Sequence, residues 1–169
     1  MNYNLKQHVH NFAVWTSSRA VQRAFSKTEM IQRAINDSDL RLFSESIDEC
    51  NQDSFDEFQR KCSNQIIGSF GKNNILCSYG RASKIIAVYL KTTVIIQHGD
   101  QNTRCSFIHS PIDSILLKAL DKNLMINEFK NIRWTTLDET NYWELINKFK
   151  SKNLPINWKL EEFWTPTEE

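Results

Sequence analysis

Two residues in this chain have the type and setting for covalent chemistry: Lys84 and Asp113, 29 positions apart. Lys84 follows Ser78-Tyr79-Gly80-Arg81-Ala82-Ser83, where a glycine turn is expected to open an apolar helix with the lysine in its first turn. Asp113 closes Ser110-Pro111-Ile112-Asp113, a proline-led helix start with the aspartate at the third position. A primary amine attacks electrophilic carbon, such as an anomeric sugar centre, and forms a Schiff base when enough of it is neutral near neutral pH. A helix N-terminus carries partial positive charge, so it favours a neutral amine and holds a carboxylate in place. Such a carboxylate steers a proton or stabilises an oxocarbenium-like charge. Each residue also has an ordinary reading. A lysine on an apolar helix usually snorkels to the surface, and Ser110-x-x-Asp113 is a plain capping box.

The elements that must position this pair are helical. Leu5 to Arg23 reads as an amphipathic helix, with Phe12, Trp15 and Arg19 spaced three and four apart. Ser26 with Glu29 forms the pattern of a capping box for a second helix through Ile35. Residues 36–53 read as loop with some helix. Asp53 or Ser54 then caps a helix carrying Phe55, Phe58, Cys62, Ile66 and Phe70, ended by Gly71. From Ala82 to Gln97 the chain is strongly apolar. Its Thr92-Thr93-Val94-Ile95-Ile96 portion has the β-branched composition of a strand, yet the pattern runs beyond ordinary strand length and favours helix. Further helices are expected after Pro111, after Asp138 as a cap, and from Leu160 to Trp164 as a lid. The expectation is an all-α fold, a single helical domain over residues 1–169 with six to eight helices.

Bulk properties agree with that class. At 169 residues the chain suffices for one domain, and 40% apolar with 24% charged residues is ordinary for a globular protein. Four Gly and three Pro disfavour a turn-rich β architecture. Cys50, Cys62, Cys77 and Cys105 contain no CxxC pair, so neither a zinc site nor a disulfide framework is expected. The N-terminal residues carry no apolar signal-like run, and no stretch approaches the length of a membrane span. A cytoplasmic protein with reduced thiols and no membrane partner is the expectation. Four histidines, with His8-Val9-His10 standing apart from acids, make no metal site; neither metal nor cofactor is expected.

Charge is distributed unevenly around a net value of +1. Residues 36–57 hold eight acids (Asp37, Asp39, Glu45, Asp48, Glu49, Asp53, Asp56 and Glu57) against Arg41 alone. Residues 58–99 hold no acid and six bases: Arg60, Lys61, Lys72, Arg81, Lys84 and Lys91. Solvated helix surface accounts for such a block, and so does a field that attracts phosphate.

The segment Ser78–Lys91 resembles the second half of the helix-hairpin-helix motif of the DNA glycosylase superfamily, Leu-Pro-Gly-Val-Gly-x-Lys-x-Ala. In register, Gly80 and Ala82 fall on the motif glycines and Lys84 on the lysine that is the nucleophile of bifunctional members. Tyr79 stands at the motif proline, and Ala82 replaces the second glycine. Pro111-Ile112-Asp113 resembles the superfamily's Pro-Val-Asp, whose aspartate is the shared catalytic carboxylate. The 29-residue interval is closest to the archaeal 8-oxoguanine glycosylase branch. The whole chain also resembles a family of small bacterial proteins without an assigned activity. That likeness rests on His10-Asn11-Phe12-Ala13-Val14-Trp15, Ala82–Lys91, His109–Asp113 and Trp158–Trp164.

The resemblance implies a helix-hairpin-helix-like element over about 62–97 and a DNA glycosylase with AP-lyase activity. Lys84 and Asp113 would be catalytic, and double-stranded DNA the partner. Gly80, Arg81, Ala82, Lys91 and His109 would contact DNA, the Gly80 turn through main-chain N–H groups. Trp15 and Trp164 would line a pocket for an extruded base, which needs stacking surfaces; Trp134, Tyr142 and Trp158 are further ring candidates. The alternative is a non-catalytic helical module that binds DNA or a protein.

Overall fold

The structure is a computed structural model that describes residues 3–21, 25–46 and 48–165. It is all-α, with no strand among the described residues and a single isolated bridge between His109 and Asn157. Helix α1 spans Leu5–Val21, α2 Thr28–Asn36, α3 Leu40–Glu45, α4 Gln52–Gly71 and α5 Tyr79–Leu90. A π-helical turn, Lys91–Ile95, carries α5 into the short α6, Ile96–His98. Helices α7, Ser114–Leu124, and α8, Glu139–Ser151, follow, with 3₁₀ turns at Trp134–Thr136 and Trp158–Phe163. The expected end of the first helix at Arg23 lies outside the described residues.

Several helix starts differ from their expected positions by a few residues. Lys27, not Ser26, precedes α2, and no side chain caps it. Asn51 caps α4, with Ser54 as its reciprocal partner three residues on: Asn51 Oδ1 accepts from Ser54 N at 2.9 Å and Ser54 Oγ from Asn51 N at 3.0 Å. The cap of this helix therefore lies earlier than the expected Asp53 or Ser54, and the capping box forms here instead of at Ser26 and Glu29. Asp138 caps α8 by accepting from Asn141 N at 2.8 Å, as its sequence position implies. Within α5 and its extension, the β-branched run is helical. Thr92 and Thr93 donate their hydroxyls to the carbonyls of Val88 and Tyr89 at 3.0 and 2.9 Å, giving polar side chains a place on a helix. Such back-bonding accompanies the wider π turn beginning at Lys91.

Gly80 does not form a turn. Ser78 is the N-cap of α5, its Oγ accepting from Arg81 N at 3.2 Å, so Gly80 already lies inside the helix. Its lack of a side chain serves a close approach instead. A Cβ at Gly80 would lie 2.0 Å from the Trp134 carbonyl oxygen. Gly80 N donates to Leu137 O at 3.0 Å, and Ser78 Oγ donates to Thr135 O at 2.8 Å. The start of α5 is thereby pinned to the Trp134–Leu137 segment.

Two apolar clusters share α5. One gathers α1, α2, α4 and most of α5 around Ala13, Ile31, Phe55, Phe70, Ile85 and Leu90. The other joins α7, α8, Phe129 and Leu160 to Tyr79, whose hydroxyl accepts from Trp143 Nε1 at 3.1 Å. Ten of the twelve α5 residues are buried, which makes α5 the common wall of both clusters and leaves its polar members no route to solvent except a cleft. A residue outside the apolar patterning stabilises the second cluster: Asp121, 4% exposed, accepts from the backbone N–H groups of Glu128, Phe129 and Lys130.

Gly80→Ala tests the close approach. An alanine in a helix interior is ordinarily worth about 1 kcal/mol over glycine. Here the contact with backbone reverses the sign, and chemical denaturation is expected to show a net loss of about 1–3 kcal/mol. A stabilised variant would contradict this packing.

Candidate active site

Lys84 and Asp113 meet. Lys84 Nζ lies 3.1 Å from Asp113 Oδ2, with side chains 8% and 14% exposed. Asp113 is the N-cap of α7 rather than its third residue: Oδ1 accepts from Ile115 N and Leu116 N at 3.0 and 2.9 Å. The cap uses one oxygen and leaves the other for Lys84. Trp164 Nε1 also donates to Oδ2, at 3.2 Å, and the Trp134 ring lies 4.3 Å from Lys84 Nζ in a cation–π contact. The carboxylate is thus held by Lys84, Trp164 and the start of α7, and the ammonium is engaged by Asp113 and the Trp134 ring.

The pair lies in the wall of a cleft of about 1000 Å³ between α1 and α7, floored by α5. Among the described residues, five cationic side chains line it, Arg19, Arg81, Lys84, Lys118 and Lys122, against the Asp113 carboxylate. An excess of this sign attracts a polyanion. Lys84 also borders a small cavity of about 10 Å³, lined by Ser83, Ser110 and Tyr142, with room for about one water. A ligand the size of a base therefore reaches Lys84 only from the cleft.

The remaining candidates separate into those at the cleft and those away from it. Arg81 lines the cleft, with its guanidinium 4.6 Å from the Phe25 ring centroid. Trp164 touches Asp113 and belongs to the site. Gly80 is buried and its N–H is taken by Leu137 O, while the N–H groups of Arg81 and Ala82 are taken by Ser78. The expected main-chain contacts to phosphate therefore have no donors at these three positions, and Ala82 is fully buried in the first cluster. Lys91 is ion-paired with Glu161 and lies 6.0 Å from the Trp164 ring. Its charge fastens the C-terminal 3₁₀ turn to α5 instead of facing DNA. His109 is 2% exposed, between Tyr142 (Nδ1 to the hydroxyl oxygen, 3.1 Å) and Asp56 (Nε2 to Oδ1, 3.4 Å), so it is a core histidine. Trp15 is 52% exposed and stacks on Phe12, outside the cleft lining.

The cationic cleft residues Arg19, Lys118 and Lys122 lay outside the sequence-derived set, while Trp134, one of its ring candidates, does line the cleft. Arg19 carried a signal, because it continues the Phe12, Trp15 periodicity. Trp134 was named for its ring type alone; its place over Lys84 depends on the absent side chain of Gly80, which sequence does not signal. Two of the thiols, Cys62 and Cys77, are unsuited to nucleophilic work: burial pushes both up to about 12, so both are protonated near neutral pH. Among the described residues no group of three or more His, Cys, Asp or Glu is arranged to hold a metal ion, and no helix is long and apolar enough to cross a membrane. Compared with protein-family models, curated proteins and solved structures, the chain has no match.

Burial holds the His109 imidazole below its ordinary value, with Asp56 opposing the shift, and burial also lowers His10. For Asp56, burial acts upward, but His109 and the Gln52 amide beside it outweigh burial and leave the carboxyl below the usual range. A histidine lowered in the folded state stays neutral where the unfolded chain takes up a proton. Its contribution is complete above 6.5, the ordinary histidine value, and is lost as pH falls from there toward the folded value. Asp56 acts in the same direction only below 3.8. Urea unfolding is therefore expected to show lower stability at about pH 5 than at about pH 7.5, with a shallower dependence in His109→Gln. Equal stability at the two pH values would contradict neutral burial of these rings.

Proposed function

We propose that the protein is a DNA glycosylase with AP-lyase activity, which removes a damaged base, an oxidised purine by preference, from double-stranded DNA. The observation that carries the reading is the 3.1 Å approach of Lys84 Nζ to Asp113 Oδ2 in the wall of a cationic cleft. The target nucleotide leaves the stack and enters the cleft, between Trp134 and Trp164. Asp113 takes a proton from the Lys84 ammonium, and the freed amine bonds through Nζ to the sugar C1′. The glycosidic bond breaks, and the base departs with its electron pair and takes up that proton. Nζ, now a secondary ammonium, gives a proton to Asp113, the C1′–O4′ bond opens to the protonated Schiff base, and O4′ takes that proton from Asp113. Loss of the C2′ proton then expels the 3′ phosphate. Exclusion of water by the two tryptophans strengthens each of these charge interactions.

A second reading is favoured by the extent to which Lys84 is already engaged by Asp113 and Trp134. In it, the pair is a structural tie in a non-catalytic helical module that binds DNA or a protein. The two readings part on covalent trapping. Incubation with duplexes carrying 8-oxoguanine, uracil or an abasic site, followed by borohydride, reduces any Schiff base to a stable adduct. The enzyme reading predicts an adduct in the wild type, none in Lys84→Met, and formation slowed by about a hundredfold in Asp113→Asn. No adduct from any duplex, with DNA affinity unchanged in Asp113→Asn, would establish the non-catalytic module instead.

A further inference from the structure

Trp15, expected in the base pocket, lies on the open side of α1, and this displacement has a consequence. Phe12 and Trp15 are both 52% exposed and stack on each other, with ring centroids 5.8 Å apart and planes inclined by 26°. One turn earlier on the same face is His8, also exposed, with Tyr3 against its ring at 5.9 Å and its Nδ1 at 2.7 Å from the Tyr3 hydroxyl. One turn later is Arg19, which lines the Lys84 cleft. Positions 8, 12, 15 and 19 follow the helical repeat, so they form a continuous stripe. At 1.5 Å per residue, the stripe runs roughly 16 Å along α1 and ends at the cleft. Helix α1 carries no acidic residue.

Exposed aromatic rings in an acid-free row have a chemically defined complement. The exposed side chains adjoining the two rings on α1 are His8, Asn11 and Arg19, with Val9 half-buried beside Phe12 and the exposed Leu5 two turns away. The immediate rim is therefore hydrogen-bonding and cationic rather than the aliphatic surround that an apolar protein partner would match. Nucleobases offer π-faces to such rings, and the linking phosphates match the cations at the cleft end. In an intact duplex those faces are covered by stacking, so only an unpaired strand offers them. We infer that the Tyr3–His8–Phe12–Trp15 stripe is a stacking platform for an unpaired stretch of nucleic acid leading into the Lys84 cleft. The inference rests on the reading of that cleft as a nucleic-acid site and adds to it: the favoured substrate has unpaired nucleotides beside the target.

Fluorescence anisotropy with a labelled oligo(dT), and with a duplex of the same length, tests the platform at low salt. The wild type is expected to bind the unpaired strand more tightly than the duplex, with affinity falling as salt rises. Trp15→Ala is expected to lose about tenfold in affinity for oligo(dT), and Phe12→Ala with Trp15→Ala more, because each ring removed takes away a stacking surface for a base. Trp15→Phe, which keeps a ring, recovers most of the loss. Leu42→Ala, which removes another exposed apolar side chain on α3, leaves affinity within about twofold. Three results would overturn the inference: no oligo(dT) binding, a duplex preferred regardless of Trp15, or a Trp15→Ala effect confined to self-association in sedimentation. Failure of borohydride trapping with oligo(dT) binding intact would strike the Lys84 chemistry and leave the platform standing.

Discussion

An amine and a carboxylate removed from water need each other, and in this protein that need joins α5 to α7. Lys84 points from a helix that is buried on nearly every side, so its charge has one exit, toward the cleft, where Asp113 meets it. Removing one partner of a buried pair is costly because the other charge is stranded. The pair is consequently a strong constraint on how the two apolar clusters are joined. Asp113 suits this role because the same carboxylate has two duties. One oxygen completes the start of α7, and the other faces Lys84 and Trp164. Capping fixes the position of the carboxylate before any ligand arrives, which is the preorganisation that charge stabilisation requires.

Much else in the site follows from one missing side chain. Because Gly80 has no Cβ, the backbone at Trp134 approaches α5 closely, and the indole is carried over Lys84. From the opposite side, Lys91 pairs with Glu161 and so draws the C-terminal 3₁₀ turn across, bringing Trp164 to Asp113. Two tryptophans distant in sequence thus flank one ion pair. The glycine that resembled a phosphate-binding turn and the lysine that resembled a DNA contact both act through these aromatic rings.

The fold class was legible in sequence because helical periodicity is a local property. The apolar spacing along α4 and α5, and the Asp138 cap, emerge with little change, whereas on α1 the Phe12, Trp15 and Arg19 face lies outward and Ala13, Val14 and Val21 face the core. The pair itself was also legible, as two residues at two helix starts. What sequence could not supply is long-range. Whether Ser78 or Gly80 opens α5 depends on competition between a side-chain cap and a glycine turn, and the cap wins with the help of Thr135 and Leu137. His109 stands beside Pro111 in sequence, yet its ring is enclosed by Phe55, Tyr142 and Trp143. Trp15 reads as a pocket aromatic by type, but it occupies the open face of α1. Burial of polar and aromatic side chains is decided by packing partners far along the chain, and single-sequence periodicity does not encode them.

The coupling energy between Lys84 and Asp113 measures the central constraint directly. In a double-mutant cycle of Lys84→Met and Asp113→Asn, the asparagine keeps the capping acceptor, so the cycle isolates the charge pair. Denaturant unfolding of the four proteins is predicted to give a favourable coupling of about 2 kcal/mol or more, the double variant being more stable than the sum of the single losses implies. Losses that add to within about 0.5 kcal/mol would show that the two charges do not depend on each other, and would contradict the account.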